Sequence, residues 1–428
     1  MATTEPTSAA TGERTRRITR AFLICHALRW MPTGFMLPIL VLVPTERGVA
    51  LPTVGLMFAA YGLTTALLEL PTGGLADTVG RRPVMLLATI ADTGLLLALA
   101  FGASAWHFLA AAVLGGVGRA LLSGPLESWY VDTVRAVDPM VPLRPGLAKA
   151  GFVEGVALAL GALLSAVLPT VGAGLPLDGP VSQLTLPAYG GLAAEAASFV
   201  AVFVFVRERR PRRGGWRITV RAVPEVVAAG VRTAAGGRNL RRLFGSFVLV
   251  AIAYVGVEVL WQPRFTDLLG SASRATRTFG YVVVAMSLGA AAGAWLAGRL
   301  PGGIAQRAGR VAAVATLLAA AMLVALATAS SFVPAAAAFV GVYVFGALGG
   351  VAEAELLHER VPADRRATMV SVQSLTHQVG NVIAGVVLTR VAAAAGIPAA
   401  WLVGAVMLAA SAILLASIDD RPRAYARA

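Results

Sequence analysis

One cysteine, one lysine and four histidines occur in 428 residues. The lone Cys25 excludes a disulfide within the chain, and its apolar surroundings mark it as a buried side chain. The histidines, His26, His107, His358 and His377, are scattered, so no metal-ligand cluster is expected. Charged residues make up only 14 %, against about 25 % in an ordinary soluble domain. No glycine-rich phosphate-binding loop is present, so ATP is not expected to drive this protein directly. No enzyme motif stands out. The first 20 residues have no small-residue cleavage site behind a short apolar core, so no signal peptide is expected.

What fills the chain instead is apolar. Hydrophobic residues reach 57 % and the mean hydropathy is +0.75. A helix needs about 20 apolar residues to cross the bilayer core. Twelve runs qualify, at 18–44, 51–74, 83–103, 106–131, 147–170, 187–206, 243–267, 278–299, 309–329, 333–357, 367–391 and 398–418. The net charge of +14 could point to nucleic acid, but its distribution argues against that. If both termini are cytoplasmic, all but seven of the 36 Lys and Arg residues fall in the inner segments. The exceptions are Arg29, Arg47, Arg119, Arg264, Arg274, Arg277 and Arg390. This is the positive-inside bias, and the basic balance then reflects topology and anionic lipid of the inner leaflet. Arginine in place of lysine, with abundant Ala and Gly, hints at a GC-rich bacterial genome. A bacterial cytoplasmic membrane is the expected location, with no nucleic-acid partner and a monomeric chain.

Only one connection is long. Residues 207–242 hold the arginine-rich run Arg207–Arg213 and separate six apolar runs from six more. The expected organisation is a bundle over 1–206, a linker over 207–242 and a second bundle over 243–428. Val220, Val223, Val227 and Val231 recur at helical spacing among Arg217, Arg221 and Arg232, which fits an amphipathic helix lying on the membrane surface; a solvated linker is the alternative. The halves are weakly alike. Gly124-Pro125-Leu126-Glu127 precedes Asp132 as Gly350-Val351-Ala352-Glu353 precedes His358, and Leu296–Gly298-Arg299 to Gly309-Arg310 parallels the turn after the second run. Internal repeats with a midplane site between them are a transporter pattern.

The turn Gly73-Gly74-Leu75-Ala76-Asp77-Thr78-Val79-Gly80-Arg81-Arg82-Pro83 carries the most specific signal. It resembles the loop signature of the major facilitator superfamily, G-x-L-A-D-x-x-G-R-[RK], and sits where that signature belongs, after the second apolar run. The resemblance implies an all-α membrane protein of twelve helices in two pseudo-symmetric six-helix bundles. It also implies a secondary transporter working by alternating access. Gly73 allows close helix packing, Gly80 a tight turn, and Pro83 suits a first helical turn. By the same resemblance, Asp77, Arg81 or Arg82, and Asp132 form a charge cluster that closes the outward-facing state. A solvated loop that fixes topology by charge is the plainer alternative.

Ionisable residues inside the apolar runs are costly and mark function. Arg119 resembles the family's fourth-helix arginine, associated with proton coupling; hydrogen bonding to backbone carbonyls is the structural alternative. Glu69, Glu127, Glu154, Glu195, Glu258 and Glu353 also lie in apolar runs. A carboxylic acid taken out of water holds its proton more readily, so one that alternates between dry and wet surroundings can carry it. Glu127 leads this set, about two helical turns from Arg119, with Glu154 and Glu258 next. Glu69, in a Glu-x-Pro-Thr-Gly run that resembles exporter-like members, reads as structural, and Glu353 and Glu355, near the inner face, have solvated helix-end charges as their plainer reading. A cavity wall is expected from His26, Arg29 and Trp30 on the first helix and from Trp261 and Gln262 beside Pro263 on the seventh. Gln373, His377 and Asn381 extend it as a stripe on the eleventh, with interhelical hydrogen bonds as its alternative. The fifth helix, Gly151–Gly161, lacks the proline of the drug/proton antiporter signature.

The expected function is proton-driven export of a small amphipathic compound, such as a drug or secondary metabolite, powered by the proton gradient with no bound cofactor. Proton-coupled import and a non-transporting receptor are the rivals. Asp77→Asn is expected to lower transport while leaving membrane insertion intact; unchanged turnover in vesicles contradicts the gating role.

Overall fold

A computed structural model of the chain describes residues 8–172, 181–208, 228, 232, 234–301, 304, 307–361 and 366–418. Every regular element among them is helical, as the bilayer demands of a chain that must satisfy its own backbone groups. Twelve helices are long and apolar enough to cross a membrane. In the first half these are α1 (Ser8–Met36), α2 (Leu51–Val79), α3 (Arg81–Phe101), α4 (Ala105–Leu121, then Pro125–Arg135), α5 (Arg144–Val171) and α6 (Leu186–Phe205). In the second they are α7 (Arg238–Leu269), α8 (Ala272–Ala297), α9 (Ala308–Thr328), α10 (Phe332–Arg360), α11 (Arg366–Ile383, continuing to Ala395) and α12 (Ile397–Ala416). The twelve expected runs match these in order. The linker valines and Arg217 and Arg221 lie outside the described residues.

Each half repeats one packing plan. α1 lies against α5 and α6, α2 against α4, and α3 against α4 and α6. In the same order, α7 lies against α11 and α12, α8 against α10, and α9 against α10 and α12. The halves meet along two seams, α2 with α11 and α5 with α8. Lipid offers no hydrophobic drive for helix association, so close approach by small residues does the work. A Cβ on Gly55 would strike the Gly385 carbonyl, and one on Gly385 the Gly55 carbonyl. A Cβ on Gly280 would likewise strike the Ala162 carbonyl. These contacts lie in the membrane half away from the termini, so the halves are drawn together at that face.

Two expectations need correction. The spacing of Glu127 from Arg119 assumed one continuous helix. Instead α4 breaks at Leu122–Gly124, because Gly124 adopts φ 92° and Pro125 starts a new helical segment. The parallel with Gly350–Glu353 is therefore one of sequence only, since α10 runs unbroken through Gly350. Glu353 is also not a solvated helix-end charge: it is buried, at 7 % exposure.

Gly280→Val should push α5 and α8 apart, at a cost of about 1–3 kcal/mol for overpacking. With Cys25 replaced and Met36→Cys as a reporter in the cavity, an impermeant thiol reagent applied from the face opposite the termini should label several-fold faster. Unchanged labelling contradicts a seam that seals that face.

Candidate substrate cavity and its two closures

Between the halves lies a cavity of about 490 Å³, within the range of about 300–1,000 Å³ usual for small-molecule sites. Its first-half wall holds Arg29 and Trp30 of α1, Tyr61 of α2, Asp92 of α3, Arg119 of α4 and Glu195 of α6. The second-half wall holds Glu258, Trp261 and Gln262 of α7, Tyr343 of α10, and His377, Gln378 and Asn381 of α11. Arg29, Trp30, Arg119, Glu258, Trp261, Gln262, His377 and Asn381 are thus brought to one space.

Four residues expected near this chemistry stand elsewhere. His26, 3 % exposed, turns toward α5, where Nε2 lies 3.3 Å from Glu154 Oε2; its Nδ1 is buried without a partner among the described residues. His26 and Glu154 form their own pair beside the cavity. Gln373 lies outside the cavity wall, which Gln378 lines instead; Gln378 Oε1 accepts from Asn381 Nδ2 at 2.8 Å. Glu127 is exposed beyond the break in α4. Sequence reasoning missed Asp92. Its signal was available, as the only carboxylate in the α3 run Arg81–Phe101.

Asp92 is placed by a glycine. A Cβ on Gly118 would collide with its carboxylate, so that carboxylate lies directly against the α4 backbone, one residue from Arg119. Arg29 and Arg119 are both within electrostatic reach of Asp92, and Arg29 also of Glu154 and Glu127. Arg29 lies 5.6 Å from the Trp30 ring centroid. Trp261 is fixed by Phe279 and Phe339, with centroids 4.7 and 5.3 Å away, and Phe339 in turn lies 5.1 Å from Tyr343. The second-half wall therefore carries a packed aromatic patch among its polar residues.

The face opposite the termini is closed by Gln262, only 2 % exposed. The chain leaves helical geometry after Met36, passing through a short Leu37–Ile39 turn before Leu42–Glu46. That break frees backbone groups at membrane depth. Gln262 of the other half takes three of them: its Oε1 accepts from the N–H of Val41 and Leu42 at 3.0 and 2.7 Å, and its Nε2 donates to the Leu37 carbonyl at 2.7 Å. Arg277 of α8 adds a bond to Gln183 at 3.0 Å. Arg47, outside the spans, donates to the carbonyls of Ala98, Ala100 and Gly102 at the end of α3. Its partial burial there lowers its pKa from the ordinary arginine value.

The arginine-rich face carries a second network. Gly80, at φ 107°, makes the turn between α2 and α3. Arg81 pairs with Asp132 at 2.6 Å. Arg82 instead lies over the Phe203 ring, 4.4 Å from its centroid. Gly73 and Asp77 sit in α2, but their side chains lie outside the described residues. An unforeseen member is Glu208, just past α6. Its carboxylate accepts from the backbone N–H groups of Arg81 and Arg82 at 2.9 and 3.2 Å, so it caps the N-terminus of α3, where negative charge is favoured. Deeper in, Glu69 accepts from Ser123 and from Ser374 of α11, at 3.3 and 3.0 Å, which joins α2, α4 and the second half.

Two similar helical halves, a polar cavity at their interface and a closed face on one side define a multi-pass membrane carrier rather than an enzyme. The chain belongs to the Major Facilitator Superfamily, whose sequence profile matches residues 22–354. A stretch of 157 residues, 37 % of the chain, is 30 % identical to the human major facilitator superfamily domain-containing protein 10, and spans 30 % of that protein's length. Similar solved structures include a nucleoside transporter, NupG, with TM-score 0.74 and 12 % identity over 94 % of this chain and 98 % of that one. The human organic anion transporter MFSD10 superposes with TM-score 0.60 and 19 % identity over 96 % of this chain and all of that one. The chain is a secondary transporter of the superfamily's kind.

Gln262→Ala should leave three buried backbone groups unpaired, each costing about 1–3 kcal/mol. The expected outcome is a shift toward opening at the face opposite the termini, measured as faster labelling of cavity cysteines from that side. A labelling rate equal to that of the parent protein contradicts the latch.

Proposed function

We propose that this protein is a proton-coupled exporter of small amphipathic organic compounds, driven by the proton gradient without a bound cofactor. It is a monomer in a bacterial cytoplasmic membrane, with both termini and the arginine-rich face in the cytoplasm against anionic inner-leaflet lipid. Residues 1–206 and 243–428 rock against each other about the cavity. The observation that carries the reading is the cavity itself. It brings two permanent cations of the first half and protonatable acids of both halves to one space, and the seams and Gln262 close it on one side. A carboxylic acid can take up and lose a proton, whereas a guanidinium cannot. Glu258 and Arg119 on the cavity wall are assigned to proton coupling, with Glu154, through His26, and Glu127 as the acids beside it. The network of Asp77, Arg81, Arg82 and Asp132, with Glu208, is assigned to holding the arginine-rich face when that face closes.

A second reading, proton-driven uptake, has its own support in the placement of Asp92 within reach of both cavity arginines. If the substrate uses the same guanidinium groups as Asp92, proton and substrate bind together rather than against each other.

Inverted vesicles acidified inside test the first reading. A few amphipathic compounds should dissipate the gradient, and Glu258→Gln should slow that response about tenfold or more; Glu127→Gln and Glu154→Gln rank the remaining acids. Absence of any response contradicts proton-coupled export, and substrate accumulation driven by an inward proton gradient decides for uptake.

A further inference from the structure

Arg29 and Arg119 face the same cavity, and among the described residues neither guanidinium makes a hydrogen bond or a close ion pair; Arg29 lies beside the Trp30 ring, and Asp92 is within electrostatic reach of both. A membrane-embedded arginine is ordinarily paired or placed in water because its charge cannot be discarded. Both arginines belong to the first half. The wall they face, from the second half, presents Trp261 and Tyr343 on a packed aromatic base. The cavity is therefore asymmetric: permanent positive charge lies on one side only, and the other sets the Trp261 and Tyr343 rings among Glu258, Gln262, His377, Gln378 and Asn381.

We propose that the substrate is an aromatic organic anion. Its carboxylate or other acidic group lies between Arg29 and Arg119, and its ring system lies against Trp261 and Tyr343. This rests on the second transport reading above, proton-driven uptake, and adds the substrate class. The carboxylates of the cavity, Asp92, Glu195 and Glu258, do not reverse the selection. Each can be neutralised by a proton, whereas the two guanidinium groups remain charged. Asp92 faces Arg29, Arg119, Glu195 and Tyr61 across the helices packed around it, with Glu258 and His377 across the cavity. Ionised, it competes with the substrate's acidic group for the arginines. Protonated, it leaves them to the substrate. Anion affinity therefore rises as pH falls, and anion and proton travel in the same direction.

The test uses the full-length protein in lipid nanodiscs and three probes sharing one ring system: naphthalene carboxylate, its carboxamide and the corresponding methylammonium. The carboxylate should bind about tenfold or more tightly than the other two, the worth of one desolvated charge-assisted hydrogen bond. Its affinity should rise on acidification, and Asp92→Asn should flatten that dependence. Arg119→Gln should lower carboxylate affinity about tenfold and leave the carboxamide unchanged. Equal or tighter binding of the carboxamide or the ammonium by the parent protein overturns the assignment and needs no variant to fold. If none of the three binds while a broad compound panel still gives proton-coupled flux, the substrate class fails and the transport reading stands. If the panel also gives no flux, both fail.

Discussion

A backbone broken inside a bilayer must find partners for the groups it frees, and much of this structure follows from that constraint. The first helix stops at Met36, well before its run crosses the membrane at Glu46. The freed N–H groups of Val41 and Leu42 and the carbonyl of Leu37 are taken by one side chain, Gln262, from the opposite half. The bond is cheap to relocate: a single glutamine amide leaves three sites when the halves part, and water in an opening cleft can replace it. A polar latch and glycine seams at Gly55–Gly385 and Gly280–Ala162 therefore help hold one face closed, beside an apolar core that runs from Ile39, Val41 and Leu42 of the first half to Phe265 and Phe279 of the second.

The other face relies on charge. Arg81 with Asp132, and Glu208 on the N-terminus of α3, tie the turn after α2 to the ends of α4 and α6. Arg81 and Asp132 lie within the first half and Glu208 just past its last helix, so the network shapes that half as a unit. Between the two faces the cavity places permanent charge in one half and aromatic surface in the other. Substrate contact with both halves then links the rocking motion to occupancy.

The architecture was largely legible in the sequence, because twelve apolar runs and a marked arginine asymmetry leave few alternatives in a bilayer. The turn from Gly73 to Pro83 was legible for the same reason: its residues match a known signature in kind and spacing. The site was read less completely. Helical periodicity put Glu127 beside Arg119, but a left-handed Gly124 breaks the helix between them. A stripe at every fourth residue placed Gln373 with His377 and Asn381, whereas the wall uses Gln378, a small rotation that spacing does not reveal. His26 shares a face with Arg29 in sequence, yet its partner, Glu154, is 128 positions away on α5. Asp92 was visible as a lone acid in an apolar run, but its importance comes from Gly118 and from two arginines on other helices.

The central claim is that the two faces of the cavity close alternately. Spin labels at Glu46 and Ser273, on the face opposite the termini, and in a second pair at Arg135 and Arg299, on the arginine-rich face, report both closures by pulsed electron–electron distance measurement, with Cys25 replaced. The account predicts two distances for each pair in lipid. Acidification and ligand should shift their populations in opposite senses at the two faces. A single unchanging distance at the face held by Gln262, under conditions in which the protein transports, would contradict it.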